Sequence, residues 1–173
     1  MKLDPDEELA RSVALKALDA APRSRAQLAE LLAKKEVPAR TVARVLDRFE
    51  EVGLIDDQAL AGALVRTRLS ERGLVGQALS QELRRKGIAP DVAATAMAQV
   101  TREDEAAAAE HWALKKLAAT RSLPTQTRLR RAASQLARKG HPPGVAFETV
   151  KRLLAQEEAC SSHCGQPLGL DQP

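Results

Sequence analysis

Three groups of residues in this chain carry side chains of the kind that ligate metals or move protons. Cys160-Ser161-Ser162-His163-Cys164 places three soft ligands within five residues, but a structural zinc site needs four ligands and a fold that holds them. Asp56-Asp57 is a pair of adjacent carboxylates with no further ligands nearby in sequence, and helix capping accounts for both. His111 stands beside Trp112 on a helical stretch and His141 lies between breakers; each is expected to be a packing, surface or half-buried junction residue rather than a base. Glycine-rich phosphate loops, nucleophile elbows and paired catalytic carboxylates are missing from the pattern. The chain therefore reads as a protein that is no enzyme and calls for no cofactor and no metal.

What remains is cationic chemistry. Between His111 and Gln156 there are ten lysines and arginines against the single acid Glu148, whereas the first sixty residues hold ten bases and twelve acids. Such asymmetry points to an acidic partner, either nucleic acid or an acidic protein surface. The partner-facing candidates are Arg66, Arg68 and Arg72 ahead of Gly73, and Arg84, Arg85 and Lys86 ahead of Gly87. In the last third they are Arg128, Arg131 and Arg138, expected on a row away from the apolar stripe, together with Lys139. With only Phe49, Trp112 and Phe147 for stacking, any contact to single- or double-stranded DNA is expected to be to phosphates, sequence-independent and salt-sensitive.

These residues sit on a repeated frame. Leu83-Arg84-Arg85-Lys86-Gly87-Ile88-Ala89-Pro90 superposes on Leu32, Lys35 and Val37 at an offset of 51 residues, and on Leu136, Lys139, Gly140 and Pro143 at an offset of 53. Two matches at similar spacing indicate a duplicated unit. In each copy a leucine-bearing helix ends in basic residues, which suit the negative end of the helix dipole, and a breaker follows. Gly87 and Gly140 fit the left-handed position past a helix end, and Pro90 and Pro143 fit the first turn of the next helix. Copy one carries Glu36 at the glycine position, so that turn is expected to differ or to be strained.

The pattern predicts an all-α fold, an elongated array of three tandem three-helix modules covering residues 5–53, 54–100 and 101–156, with a disordered tail over 157–173. Ser24 and Asp56 are the expected caps, Leu9, Val13 and Leu18 the inward residues of the first helix, and Val145, Phe147, Val150, Leu153 and Leu154 those of the last. Alanine and leucine dominate the apolar residues while aromatics make up 2%, which favours closely packed helices over a sheet. The N-terminus lacks the apolar run of a signal peptide and no stretch is long and apolar enough to span a bilayer. A cytoplasmic, monomeric protein without a membrane partner is expected, and both cysteines fall in the tail, outside any disulfide framework.

Leu46-Asp47-Arg48-Phe49-Glu50-Glu51-Val52-Gly53-Leu54-Ile55-Asp56-Asp57 resembles the join between the first two modules of the RecX family, bacterial regulators of the RecA recombinase. Val65, Arg68 and Arg72-Gly73, then Gln81-Glu82-Leu83-Arg84-Arg85-Lys86-Gly87-Ile88, look like that family's most specific segment, and Pro22-Arg23-Ser24-Arg25-Ala26-Gln27-Leu28 resembles its opening motif. The resemblance implies a protein that lies in the groove of the RecA filament, touches adjacent protomers, and hinders ATP turnover, strand exchange and filament growth. Ser24 to Ile55 also reads like a winged helix-turn-helix of a transcription regulator, an alternative that requires a strand pair immediately afterwards.

Overall fold

The computed structural model describes residues 4–163 and among them contains nine α-helices and no strand. They are α1 (Pro5–Ala20), α2 (Arg25–Ala33), α3 (Ala39–Glu51), α4 (Asp57–Arg72), α5 (Gly76–Arg85), α6 (Pro90–Met97), α7 (Arg102–Ala118), α8 (Thr125–Arg138) and α9 (Pro143–His163). The strand pair that a winged helix-turn-helix needs after Ile55 is replaced by the sixteen-residue α4, so that alternative is set aside.

The helices begin where side chains can serve orphaned amides. Ser24 and Gln27 form a reciprocal capping box at the start of α2, and Asp56 Oδ1 accepts from the Ala59 amide at 2.8 Å at the start of α4. Asp57 does something different from its neighbour. Its Oδ1 accepts from the Arg25 amide at 2.9 Å, so it caps α2, thirty-two residues upstream, rather than its own helix.

The three repeated helix ends close in the same way. Leu32, Leu83 and Leu136, which the repeat superposes, are each fully buried. Their carbonyls accept from the amides of Val37, Ile88 and His141 at 3.2, 3.1 and 3.3 Å. Each turn is completed by a shorter loop of bonding, from Glu36 to Ala33, Gly87 to Arg84 and Gly140 to Ala137, which is the Schellman arrangement. Glu36 adopts φ +61 where Gly87 and Gly140 have φ +73 and +100. The turn in copy one is thus preserved, and a residue with a Cβ carries the left-handed strain.

The described chain forms two compact units. One holds the residues up to Arg68 together with Gln77–Thr101; the other holds Leu69–Gly76 and the residues from Arg102 onward. In the first, α1, α2 and α3 pack on one another around Ala10, Ala14, Leu28, Leu32, Val45, Leu46 and Phe49. Ala61, Val65, Leu79, Leu83, Ile88, Ala93 and Ala96 are buried farther along the same unit. In the second, α7, α8 and α9 pack on one another around Ala109, Ala113, Leu117, Ala132, Leu136, Ala146, Val150, Leu153 and Leu154. Alanines on these faces let helix backbones approach closely.

Some inward residues differ from the sequence expectation. Leu9 is exposed and Ala10 and Ala14 take the inner face of α1. Val145 and Phe147 are exposed on either side of buried Ala146, because Ala146, Val150, Leu153 and Leu154 fall at i, i+4, i+7 and i+8 and define the stripe by themselves. Helix α9 also runs past Gln156 to His163, since neither glycine nor proline interrupts the chain between Gly144 and Gly165. Residues 157–163, expected in a disordered tail, are therefore helical. Cys160 is an exposed free thiol, whereas Cys164 and the rest of the tail lie outside the described residues.

Candidate basic interface

The predicted cations fall into three environments. Arg66, Arg84, Arg85, Arg131 and Arg138 are exposed on their helices. Arg66 borders a groove between α4 and α6 whose walls include Gln58, Gly62, Val92, Thr95 and Gln99. Arg84 borders a second groove, beside Ser80, Ile88, Pro90, Ala93 and Met97. Both grooves are shallow depressions flanked by a guanidinium.

Arg68 and Lys86 are half-buried and belong to the frame. Arg68 Nε donates to Glu82 Oε1 at 3.0 Å, with only 18% and 14% of the two side chains exposed. The other oxygen of Glu82 lies 3.8 Å from Arg85. Lys86 contributes its carbonyl, which accepts the Ser24 hydroxyl at 2.6 Å. Beside it, Gly87 packs so tightly on α2 that an added Cβ would stand 2.8 Å from Ala26 Cβ and 3.0 Å from Ser24 Oγ.

Arg128 is a correction. Expected on the solvent row with Arg131 and Arg138, it is buried with Ala132 and Leu136. Its Nη2 donates to the Leu117 carbonyl at 2.9 Å and to Glu157 Oε2 at 2.7 Å, while its Nε is buried without a partner. Spacing of four puts Arg128 about 40° around the helix from Ala132 and about 60° from Arg131, on the border between faces. The decisive partner is Glu157, in the stretch expected to form a disordered tail and found in α9. A buried guanidinium with a carboxylate and a carbonyl to satisfy it is tolerated where an unpaired one is not.

The second unit also holds a cluster whose members lie far apart in sequence. Trp112, half-buried on α7, carries Lys139 Nζ at 4.9 Å and Lys116 Nζ at 5.6 Å from its ring centroid, within cation–π range. Lys139 Nζ also donates to the carbonyl of Arg72. Burial pushes the Lys139 ammonium below the usual lysine range, and the charges of Arg72 and Lys116 push the same way. Gly73, at φ +61, sits against the indole, with its missing Cβ 3.5 Å from Trp112 Cβ. The Gly73 carbonyl lies 3.0 Å from Nε2 of buried His141. Burial holds that imidazole below its ordinary value; the Gly73 bond and Glu105 oppose the shift, and Lys139 adds to it. With the imidazole neutral, Nε2–H donates to the carbonyl. Trp112 and Lys116 could have been singled out only from their place in the run of uncompensated bases, because Arg72 and Lys139 lie 67 residues apart.

Among the described residues, no group of three His, Cys, Asp or Glu side chains is placed to hold a metal, and His111 is exposed. No helix among them is long and apolar enough to cross a membrane.

Comparison with known proteins gives consistent results. Residues 10–49 match the family model described as RecX, first three-helix domain, and residues 56–97 match the second three-helix domain. The chain is 44% identical over 162 residues to the regulatory protein RecX of Streptomyces coelicolor, covering 94% of this chain and 86% of that one. It is 41% identical over 148 residues to the protein of the same name from Thermobifida fusca, covering 86% and 80%. Among solved structures, RecX from Lactobacillus salivarius superposes with a TM-score of 0.75 at 18% identity, covering 87% of this chain and 98% of that one. A second regulatory protein RecX superposes with a TM-score of 0.73 at 27% identity, covering 88% and 81%.

Proposed function

This chain belongs to the RecX family of regulatory proteins, and from that premise we propose that it binds the RecA nucleoprotein filament and restrains it. In this reading it is a cytoplasmic protein, not an enzyme, that lowers ATP hydrolysis, strand exchange and filament growth by occupying the filament groove as a monomer. The observation that carries the proposal is identity of 44% across 94% of the chain to a protein named as a RecX regulator. The distribution of side chains supports it: exposed guanidinium groups, shallow grooves, and helices repeated along the sequence suit an extended acidic partner. Arg66, Arg84 and Arg85 in the first unit, and Arg131 and Arg138 in the second, are the proposed contacts. DNA phosphates inside the filament are the proposed secondary target.

Titrating the purified protein into RecA, ATP and single-stranded DNA tests this directly. Hydrolysis is expected to fall as the protein approaches the number of filament sites. Unchanged hydrolysis at several-fold excess would sink the proposal. Changing Arg84 and Arg85 together to alanine should weaken inhibition while leaving helical circular dichroism intact, because both side chains are exposed.

A further inference from the structure

We propose that Lys116, Lys139 and Arg72, gathered around Trp112, form a phosphate-binding site through which the protein grips a single nucleic-acid strand without any recombinase. This goes beyond the filament reading, because the site is complete within residues 69–76 and 102–163 of one chain. Two ammonium groups share one indole, and among the described residues neither has a carboxylate within ion-pair distance. The three cations stand at the ends of α4, α7 and α8, where the negative poles of the helices retain positive charge. Burial disfavours the charged form of Lys139 first, and the neighbouring charges of Arg72 and Lys116 push the same way, so an anion placed beside the two ammonium groups stabilises them. Lys139 spends one N–H on the Arg72 carbonyl, and an ammonium has three, leaving donors for the oxygens of a phosphodiester.

A strand fits this surface better than an isolated carboxylate does. Arg131 and Arg138 are exposed on α8, seven residues and therefore about 10 Å apart on one face, and Lys139 follows at the C-terminal cap of the same helix, about 100° round from Arg138. A polymer with a charge at every repeat can meet the row and the cluster together. Because the lysines lie over the ring, Trp112 positions and desolvates them instead of stacking on a base, and the contact reads no sequence.

Trp112 is the only tryptophan, so its fluorescence reports on the site. Full-length protein alone should show a saturable change when titrated with oligothymidylate at low salt. Its affinity should decline on a log–log salt plot with a slope of about −0.7 per phosphate engaged, hence about −2 for three. Lys116→Ala, which leaves the Lys139 bond to Arg72 in place, should weaken binding roughly 3- to 10-fold and flatten that slope by about 0.7. Lys116→Arg should restore both and guards against a folding artefact. Absence of a saturable change overturns the proposal, as does equal affinity in Lys116→Ala. So does equal binding of polyglutamate, which would assign the cluster to an acidic protein surface. Inhibition of RecA hydrolysis is scored separately: its absence would remove the filament reading and leave the strand-binding result standing.

Discussion

In the first unit the start of α2 meets the end of α5; in the second, the start of α5 meets the end of α8. The two places are equivalent in the repeat, since Ser24 and Val75 are 51 residues apart and Lys86 and Lys139 are 53 apart. Yet they are joined differently. In the first a side chain reaches a backbone: Ser24, fully buried, donates its hydroxyl to the Lys86 carbonyl while capping its own helix. In the second the backbones bond directly, from the Val75 amide to the Lys139 carbonyl at 3.0 Å, and the Ser24 equivalent is an apolar valine. The side chains around the second joint are thereby released for other work. His141 and Lys139 tether Gly73 and Arg72, and Lys139 keeps its charge beside Trp112. Repetition conserved the meeting of helix ends while leaving its chemistry open.

Glycine substitution should break the comparison most sharply. Gly87→Ala combines φ +73 with an approach to 2.8 Å from Ala26 Cβ, and is expected to cost about 2–4 kcal/mol in urea unfolding. Gly76→Ala at the second joint meets only the Gly140 carbonyl at 3.4 Å, at φ +49, and should cost about 1–2 kcal/mol. Equal losses would mean that the two joints are packed alike.

Acid should separate the joints next. The folded His141 imidazole is held below its ordinary value by burial, so the folded state binds fewer protons than the unfolded one. Its contribution is complete above about pH 6.5 and is lost as pH falls from there toward the depressed folded value. Tm should therefore decline between about pH 7.5 and 5.5 more steeply in the parent than in His141→Gln, which keeps an N–H donor. Parallel declines would assign the acid sensitivity to other groups.

The smallest effect concerns the turn that carries strain. Glu36→Gly removes a Cβ from a left-handed position and is expected to stabilise the protein by about 0.5–1 kcal/mol, the strain relieved being offset by the greater freedom of unfolded glycine. No gain would mean that Glu36 is held there by something the turn alone does not explain.

The parts of this molecule legible in the sequence are those decided within a few residues. Ser24 and Asp56 as caps, the breakers after Lys86 and Lys139, and the burial of the superposed leucines all follow from local chemistry and period. The misses depend on distant partners or on competition between faces. Arg128 looked like a surface arginine because its carboxylate, Glu157, lies 29 residues away. Asp57 has the capping role expected of it, but the helix it serves begins 32 residues upstream, which no local pattern could name. Leu9 and Phe147 carry strong apolar signals, but small alanines beside them set the packing face. The cluster at Trp112 needs three helix ends to meet, which no window of sequence displays.

The bond between Arg128 and Glu157 also fixes where the chain can be shortened. Trimming from the C-terminus that stops after Glu157 leaves the buried guanidinium its carboxylate. Cutting through that residue leaves the buried guanidinium only the Leu117 carbonyl, with its Nε already lacking an acceptor, at a cost of about 1–3 kcal/mol, since Glu157 is itself 35% exposed. Because proteolysis in cells follows the population of opened chains, survival of C-terminally clipped forms should change as a step at this position and not as a gradient.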